Sequence, residues 1–174
     1  MNVIVTGASK GIGRAVAEVF AKEGATLFLC ARNEDQLNAA VSSIRRQYPQ
    51  STVHGRPHDL SRKEEAVAFG NWCLEQGPPD ILVNNAGSYL PGSLYNEPEG
   101  QLERMIAVNL YSAYHLTRVL VPAMIKAGGG HIFNMCSIAS LHAYDNGGSY
   151  SVSKFALSGF SKNLREELKG YGIK

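Results

Sequence analysis

Net charge, cysteine and long apolar runs are all scarce in this sequence, and each scarcity excludes something. Seventeen Lys and Arg nearly balance fifteen Asp and Glu, which leaves a formal charge of +2 over 174 residues. So small an excess supplies no basic field for nucleic acid or for an anionic membrane surface. The cysteines number only three, Cys30, Cys73 and Cys136, and no two of them are closely spaced. That excludes a disulfide framework and a cysteine metal cluster, and predicts reduced, buried thiols in a reducing compartment. The five histidines, His54, His58, His115, His131 and His142, also lack ligand-like spacing. The first apolar run is short and ends in Thr6-Gly7, so neither a leader nor a membrane span is expected. The expectation is a cytoplasmic protein with no metal, no nucleic-acid partner and no membrane anchor.

What is abundant is glycine, eighteen residues that fall mostly where apolar runs end. Val3-Ile4-Val5 is a buried strand by its β-branched composition. A helix from Gly11 to Glu23 follows, with Ile12, Ala15, Val16, Val19 and Phe20 assigned to its buried face and Gly24 closing it. Thr26 to Ala31 is a second strand, and Asn33 caps a helix that reaches Tyr48, before Pro49. Ser51 to Arg56 is a weaker third strand. Ser61 and Glu64 have the spacing of a capping box for a helix ending near Gly77-Pro78-Pro79. Asp80 to Val83 is the fourth strand, residues 88–98 a loop, and Glu99 to Lys126 a long helix with a bend expected at Pro122. His131 to Met135 is the fifth strand, and a last helix carries Tyr150 to about Lys169. Strict alternation predicts an α/β fold: one Rossmann-type, doubly wound parallel sheet with helices on both faces, in a single domain over 1–174.

The first strand-to-helix junction reads TGASKGIG, Thr6 to Gly13. Gly7 permits a tight turn, Gly11 lets backbone approach a phosphate, and Gly13 lets the helix pack closely on the strand. The helix start adds free N–H groups and a positive dipole end, which suits a pyrophosphate. Strand two ends in Cys30-Ala31-Arg32, with no acid to accept from a ribose 2′-hydroxyl. Arg32 can instead grip a 2′-phosphate in a forked geometry, and Lys10 adds a second positive charge. NADP(H) is therefore the expected cofactor and NAD the lesser alternative. Asn84-Asn85-Ala86-Gly87, at the carboxyl end of strand four, is a further ligand candidate.

The other chemistry-bearing stretch runs from Cys136 to Lys154. Tyr150 and Lys154 are spaced i,i+4, which places phenol and ammonium on one helix face. A fixed ammonium stabilises the phenolate and so makes a tyrosine useful for moving protons at neutral pH. Ser137, at the end of the fifth strand, is placed to donate to an oxygen that gains charge.

These motifs together resemble the short-chain dehydrogenase/reductase family, in order and in spacing: TGASKGIG at Thr6–Gly13, NNAG at Asn84–Gly87, Ser137, and the Tyr150/Lys154 pair, with Asn109 of MIAVNL as a fifth element. The resemblance implies an oxidoreductase that moves a hydride between NADP(H) and a carbonyl or alcohol. Asn109, Ser137, Tyr150 and Lys154 would form its catalytic set: Tyr150 as general acid–base, Ser137 polarising the substrate oxygen, Lys154 supporting Tyr150 and holding the nicotinamide ribose, and Asn109 fixing a relay water through its helix backbone. It further implies Asp59 at the adenine, Asn85, Ala86 and Gly87 along the adenosine ribose, Ser9, Ile12, Leu60 and Val108 near the cofactor, and Tyr150 beside Lys154 as a cofactor contact as well. Tyr89, Leu90, His142 and Tyr144 would face a neutral carbonyl substrate such as a ketone, a 3-oxoacyl chain or a pterin side chain. A homodimer or homotetramer packed through the two long helices is implied as well, with Leu110, Leu116, Phe155 and Phe160 as apolar contacts. The family runs on past Gly172-Ile173-Lys174, where strand six would begin, so the last strands, a nicotinamide-contacting Pro-Gly segment and the substrate lid are expected to lie outside this sequence. Two other readings stand beside this one: a non-catalytic NADP-binding redox sensor or partner-binding module, and a sugar-nucleotide epimerase or dehydratase, which expects other glycine spacing.

Overall fold

The computed structural model describes residues 1–174. Five strands, β1 (Asn2–Thr6), β2 (Thr26–Ala31), β3 (Thr52–Pro57), β4 (Ile81–Asn84) and β5 (His131–Asn134), pair in parallel in the order β3-β2-β1-β4-β5. Each strand shifts by at most one residue at either end from its expected span, because β-branched and aromatic runs bounded by Gly, Pro and Asn leave little choice. Side chains alternate across the sheet as the pleat requires. Val3, Val5, Leu27, Leu29 and Val83 enter one core layer, whereas Ile4, Phe28, Cys30 and Leu82 enter the other. A sheet buried on both faces needs this unbroken apolar pattern.

Helices α1 (Gly11–Lys22) and α2 (Glu34–Gln47) cover the first face. Asn33 caps α2 as expected, its Oδ1 accepting from Gln36 N at 2.8 Å, which is worth about 1 kcal/mol. The buried face of α1 departs from expectation. Gly13, Ala17 and Ala21 are the residues buried, with Val16 and Phe20 beside them, whereas Ile12 and Val19 are each 63% exposed and Ala15 faces solvent. The helix lies too close to β1 for branched side chains, so its contact ridge is made of small residues at i, i+4, i+8.

The second face is covered by α3 (Lys63–Glu75) and α5 (Ser112–Ala127). The capping box expected at Ser61 and Glu64 does not form. Arg62 occupies the cap position with no side-chain cap bond, Ser61 Oγ donates instead to Asp59 Oδ1 at 2.7 Å, and Glu64 is exposed. The expected long helix is three joined segments: α4 (Gln101–Ile106), a π turn (Ala107–Tyr111) and α5. Its irregularity is thus at Asn109, and the helix runs on through Pro122. α6 (Gly148–Leu168) carries Tyr150 and packs against α4. Residues 172–174 then pair in parallel with the start of β5, Ile132 N donating to Lys174 O at 2.8 Å, which is the place expected for strand six. None of the helices is long and apolar enough to cross a membrane.

Cys30 and Cys73 are buried, but Cys136 is exposed, contrary to expectation, because β5 ends at Asn134 and the chain there turns outward. Burial pushes the Cys30 thiol up to about 12 and raises Cys73 further still. A thiol reagent at pH 8 should therefore modify Cys136 alone in the folded protein, and all three cysteines after denaturation. Mass spectrometry of the labelled protein checks this, and native labelling at Cys30 would contradict the packing.

Candidate active site

Strand order reverses between β1 and β4, where β2 lies on one side of β1 and β4 on the other. The carboxyl ends of strands at such a reversal open into a crevice. Here the crevice is a cavity of about 370 Å³ lined by Gly7, Ser9, Lys10, Ile12, Arg32, Asp59, Leu60, Asn85, Ala86, Gly87 and Val108, each of them expected from the sequence. Gly11 and Gly13 do not line it. Gly13 is buried beneath the turn, and Gly11 sits at φ +58° facing open space.

The glycine turn is tied down from β4. Asn85 Nδ2 donates to Thr6 O at 2.9 Å and Gly7 O at 3.2 Å, so its amide braces the turn. Thr6 Oγ1 accepts from Asn85 N at 3.0 Å and Ala86 N at 2.8 Å. Thr6 is a bracing residue that the motif alone does not single out; its one signal in the sequence is a hydroxyl residue directly before the first glycine. At the start of α1, Lys10 provides no side-chain cap and the first turn holds no acid. Its N–H groups are therefore left for an anion.

Charge on the cavity wall is sparse and mostly positive. Lys10 and Arg32 are exposed there, and Asp59 is the one acid. Asp59 Oδ1 is engaged by Ser61 N at 3.1 Å and Ser61 Oγ at 2.7 Å, while its backbone N donates to Glu65 Oε2 at 2.7 Å. Burial holds His58 below its usual value, aided by Arg56 and opposed by Glu65, so it lines the cavity uncharged near neutral pH. Asn33, Gln36, His58, Ser61 and Ser112 also line it; they are loop and helix-start positions whose approach depends on the tertiary fold.

Lys154 lies beyond the cavity, next to Gly87, and Tyr150 lies on the other side of Lys154. A Cβ on Gly87 would stand 3.7 Å from Lys154 Nζ and 3.0 Å from Asn109 Oδ1, so the bare glycine brings the cavity wall close to both groups. Lys154 is buried, and its Nζ donates to Met135 O at 2.7 Å and lies 6.0 Å from the Tyr150 ring centroid. Burial lowers its pKa from the ordinary lysine value. Ser137 is half-buried, and its Oγ accepts from Ala139 N at 3.2 Å, which leaves the hydroxyl proton free to donate. Asn109 is 1% exposed, with Oδ1 accepting from Ser88 N at 2.8 Å and Nδ2 donating to Ser88 O at 3.0 Å and Ser153 Oγ at 2.9 Å. Its side chain therefore ties the loop after β4 to α6. Tyr89 meets Tyr150 edge-on at 4.8 Å between centroids with Tyr144 beside them, and Tyr89, His142 and Tyr144 are all exposed. Leu116, expected as a subunit contact, is fully buried in the core, whereas Tyr111, Val152 and Phe155 are exposed.

Residues 1–174 match the sequence profile of the short chain dehydrogenases. The 3α-hydroxysteroid dehydrogenase of Mediterraneibacter gnavus is 32% identical over 166 residues, covering 95% of this chain and 66% of that protein. A 7α-hydroxysteroid dehydrogenase solved with NADH and 7-oxo glycochenodeoxycholic acid superposes with a TM-score of 0.93 at 32% identity, over 99% of this chain and 67% of the other. The L-sorbose reductase of Gluconobacter frateurii, solved with NADPH and L-sorbose, gives 0.93 at 34% identity over 99% and 66%. The chain thus spans about two thirds of the length of the relatives it matches.

Proposed function

The chain belongs to the short-chain dehydrogenase family, and from that premise we propose that it is the nucleotide-binding domain of an NADP(H)-dependent oxidoreductase acting on a neutral carbonyl or alcohol. The observation that carries this reading is that Gly87, on the cavity wall, stands against the buried Lys154, whose ammonium in turn lies 6.0 Å from the Tyr150 ring. The cradle fits a dinucleotide: an uncapped helix start for the pyrophosphate, Asp59 with one carboxylate oxygen unengaged for the adenine amine, and Lys154 with two N–H groups left for the nicotinamide ribose. Bound there, NADP(H) would supply or accept the hydride.

The chain's own residues then handle the proton. Ser137 donates its free hydroxyl proton to the substrate oxygen and holds it near Tyr150. Tyr150 gives its phenolic proton to the developing alkoxide in reduction and takes one back in oxidation. Lys154, fixed by Met135 O, places positive charge on the phenolate side of that exchange. Asn109, engaged through its whole side chain, sets the distance between the Ser88 loop and α6, so a relay water is left to its backbone in the π turn. The site's mouth, with Tyr89, Leu90 and Tyr144 and no engaged cation, supports an uncharged, apolar or aromatic carbonyl compound. Exposed Tyr111, Val152 and Phe155 support self-association as a dimer or tetramer, and the buried reduced thiols support a cytoplasmic setting.

Fluorescence titration of the full-length protein with NADPH and NADH, followed by a panel of ketones, tests the reading. NADPH should bind more tightly and be consumed with at least one ketone; binding of neither cofactor would defeat it. Arg32→Asp should weaken NADPH by about 10- to 100-fold, the equivalent of one charge-assisted hydrogen bond, and spare NADH. Unchanged NADPH affinity would remove Arg32 from phosphate recognition.

A further inference from the structure

The two loops that bracket Tyr150 are joined by a carboxylate to which the reaction assigns no role. Glu97, from the loop between β4 and α4, reaches the start of α6, where its Oε1 accepts from Ser149 N at 2.8 Å and its Oε2 from Ser149 Oγ. Ser149 is 0% exposed, directly precedes Tyr150, and lies in the first turn of a helix whose own cap residue, Gly147, contributes no side-chain bond. Glu97 thus caps α6 from a different loop, with its negative charge at the positive end of the helix. Neighbouring bonds share this seam: Gly92 N to Asn146 O at 3.2 Å and Ser93 Oγ to Asn146 Oδ1 at 3.0 Å, with Asn146 held at φ +58°. Gly148 is shaped to it as well, since a Cβ there would lie 1.9 Å from Glu97 Oε1 and 2.4 Å from Gly92 O.

We propose that Glu97 is a positioning residue for the oxidoreductase reaction. It clasps the first turn of α6 and so holds the Tyr150 phenol in register with the substrate-facing Ser88–Tyr95 segment, without touching substrate or cofactor. The proposal rests on the oxidoreductase reading above. The cofactor cavity lies on the far side of Gly87, and none of its lining residues belongs to the clasp. Loss of the clasp should therefore reach turnover before it reaches cofactor binding.

The test uses the full-length protein and three variants, Glu97→Ala, Glu97→Gln and Gly148→Ala. Glu97→Ala should lower kcat/KM for the carbonyl at least tenfold, mainly through kcat, while cofactor Kd stays within about threefold. Hydrogen exchange at residues 149–151 should quicken. Glu97→Gln keeps an acceptor for Ser149 N and an amide that can donate to Ser149 Oγ, so it should recover to within about threefold of wild type. Gly148→Ala, which forces the carboxylate away, should follow Glu97→Ala. Wild-type kcat/KM in Glu97→Ala overturns the proposal, as does cofactor affinity falling in step with kcat/KM, or a glutamine variant no better than alanine. A wild-type protein that turns over no carbonyl defeats the oxidoreductase reading instead. In that case unchanged exchange at 149–151 in Glu97→Ala would separately overturn the clasp.

Discussion

A Tyr150→Phe variant of the full-length protein should turn over its carbonyl substrate about 10²- to 10⁴-fold more slowly, the usual contribution of a positioned proton donor. Its cofactor Kd should stay within about threefold. The substitution removes one oxygen and keeps the ring, so the edge-on contact with Tyr89 at 4.8 Å survives. Neither the Ser149 bonds to Glu97 nor the Lys154 bond to Met135 O involves the phenol, so α6 keeps its start and the ammonium its place. Nothing in the cavity wall changes, since Tyr150 is not part of it. The loss should therefore appear in kcat, with KM changing little, as expected when an interaction made only in the transition state is removed. Stopped-flow turnover with cofactor titration on the same preparation separates the two quantities. Near-wild-type kcat would remove Tyr150 from proton transfer and leave the cavity as a binding module.

Features of the fold that are set by neighbours in sequence are legible in the sequence itself. Asn33 announces α2 because a side-chain oxygen facing free helix N–H groups is a local event. The glycine turn was legible for the same reason, since Gly7 at φ +65° needs the left-handed region whatever surrounds it. The readings that missed concern partners remote in sequence. Ile12 and Val19 have the periodicity of a buried stripe, but the closeness of α1 to β1 gives that place to Gly13, Ala17 and Ala21. Ser61 and Glu64 have capping-box spacing, yet Asp59 takes the Ser61 hydroxyl, and Glu65 reaches back to Asp59 N. The π turn at Ala107–Tyr111 has no composition of its own, and its widening at Asn109 accompanies the fit of that amide between Ser88 and Ser153. Glu97 and Ser149 are 52 residues apart, and no pattern in either loop names the other.

Gly13→Ala should be the more damaging of two superficially similar helix substitutions. Alanine is favoured over glycine inside a helix by about 1 kcal/mol, so propensity alone predicts a gain. Gly159 in α6 should show that gain as a small rise in Tm, since a Cβ there meets nothing within 4 Å. At Gly13 the same methyl would stand 2.4 Å from both Asn85 Nδ2 and Gly7 O. The second of these is backbone and cannot swing aside as a long side chain would. Relief requires α1 to lift from the turn or Asn85 to withdraw, and withdrawal breaks its bonds to Thr6 O and Gly7 O. Overpacking of this kind costs up to about 3 kcal/mol, which outweighs the propensity gain by about 2 kcal/mol and corresponds to a Tm lower by about 4–8 °C. The same displacement moves Ala86 and Gly87, which line the cavity, and tilts the helix start offered to the pyrophosphate. Affinity for NADPH should consequently fall at least tenfold, and NADH should suffer alike, because the pyrophosphate is common to both. That shared loss distinguishes it from Arg32→Asp, which should penalise NADPH alone. A Gly13→Ala protein with wild-type Tm and wild-type affinity for both cofactors would show that the turn yields without cost, and that the dinucleotide is held elsewhere.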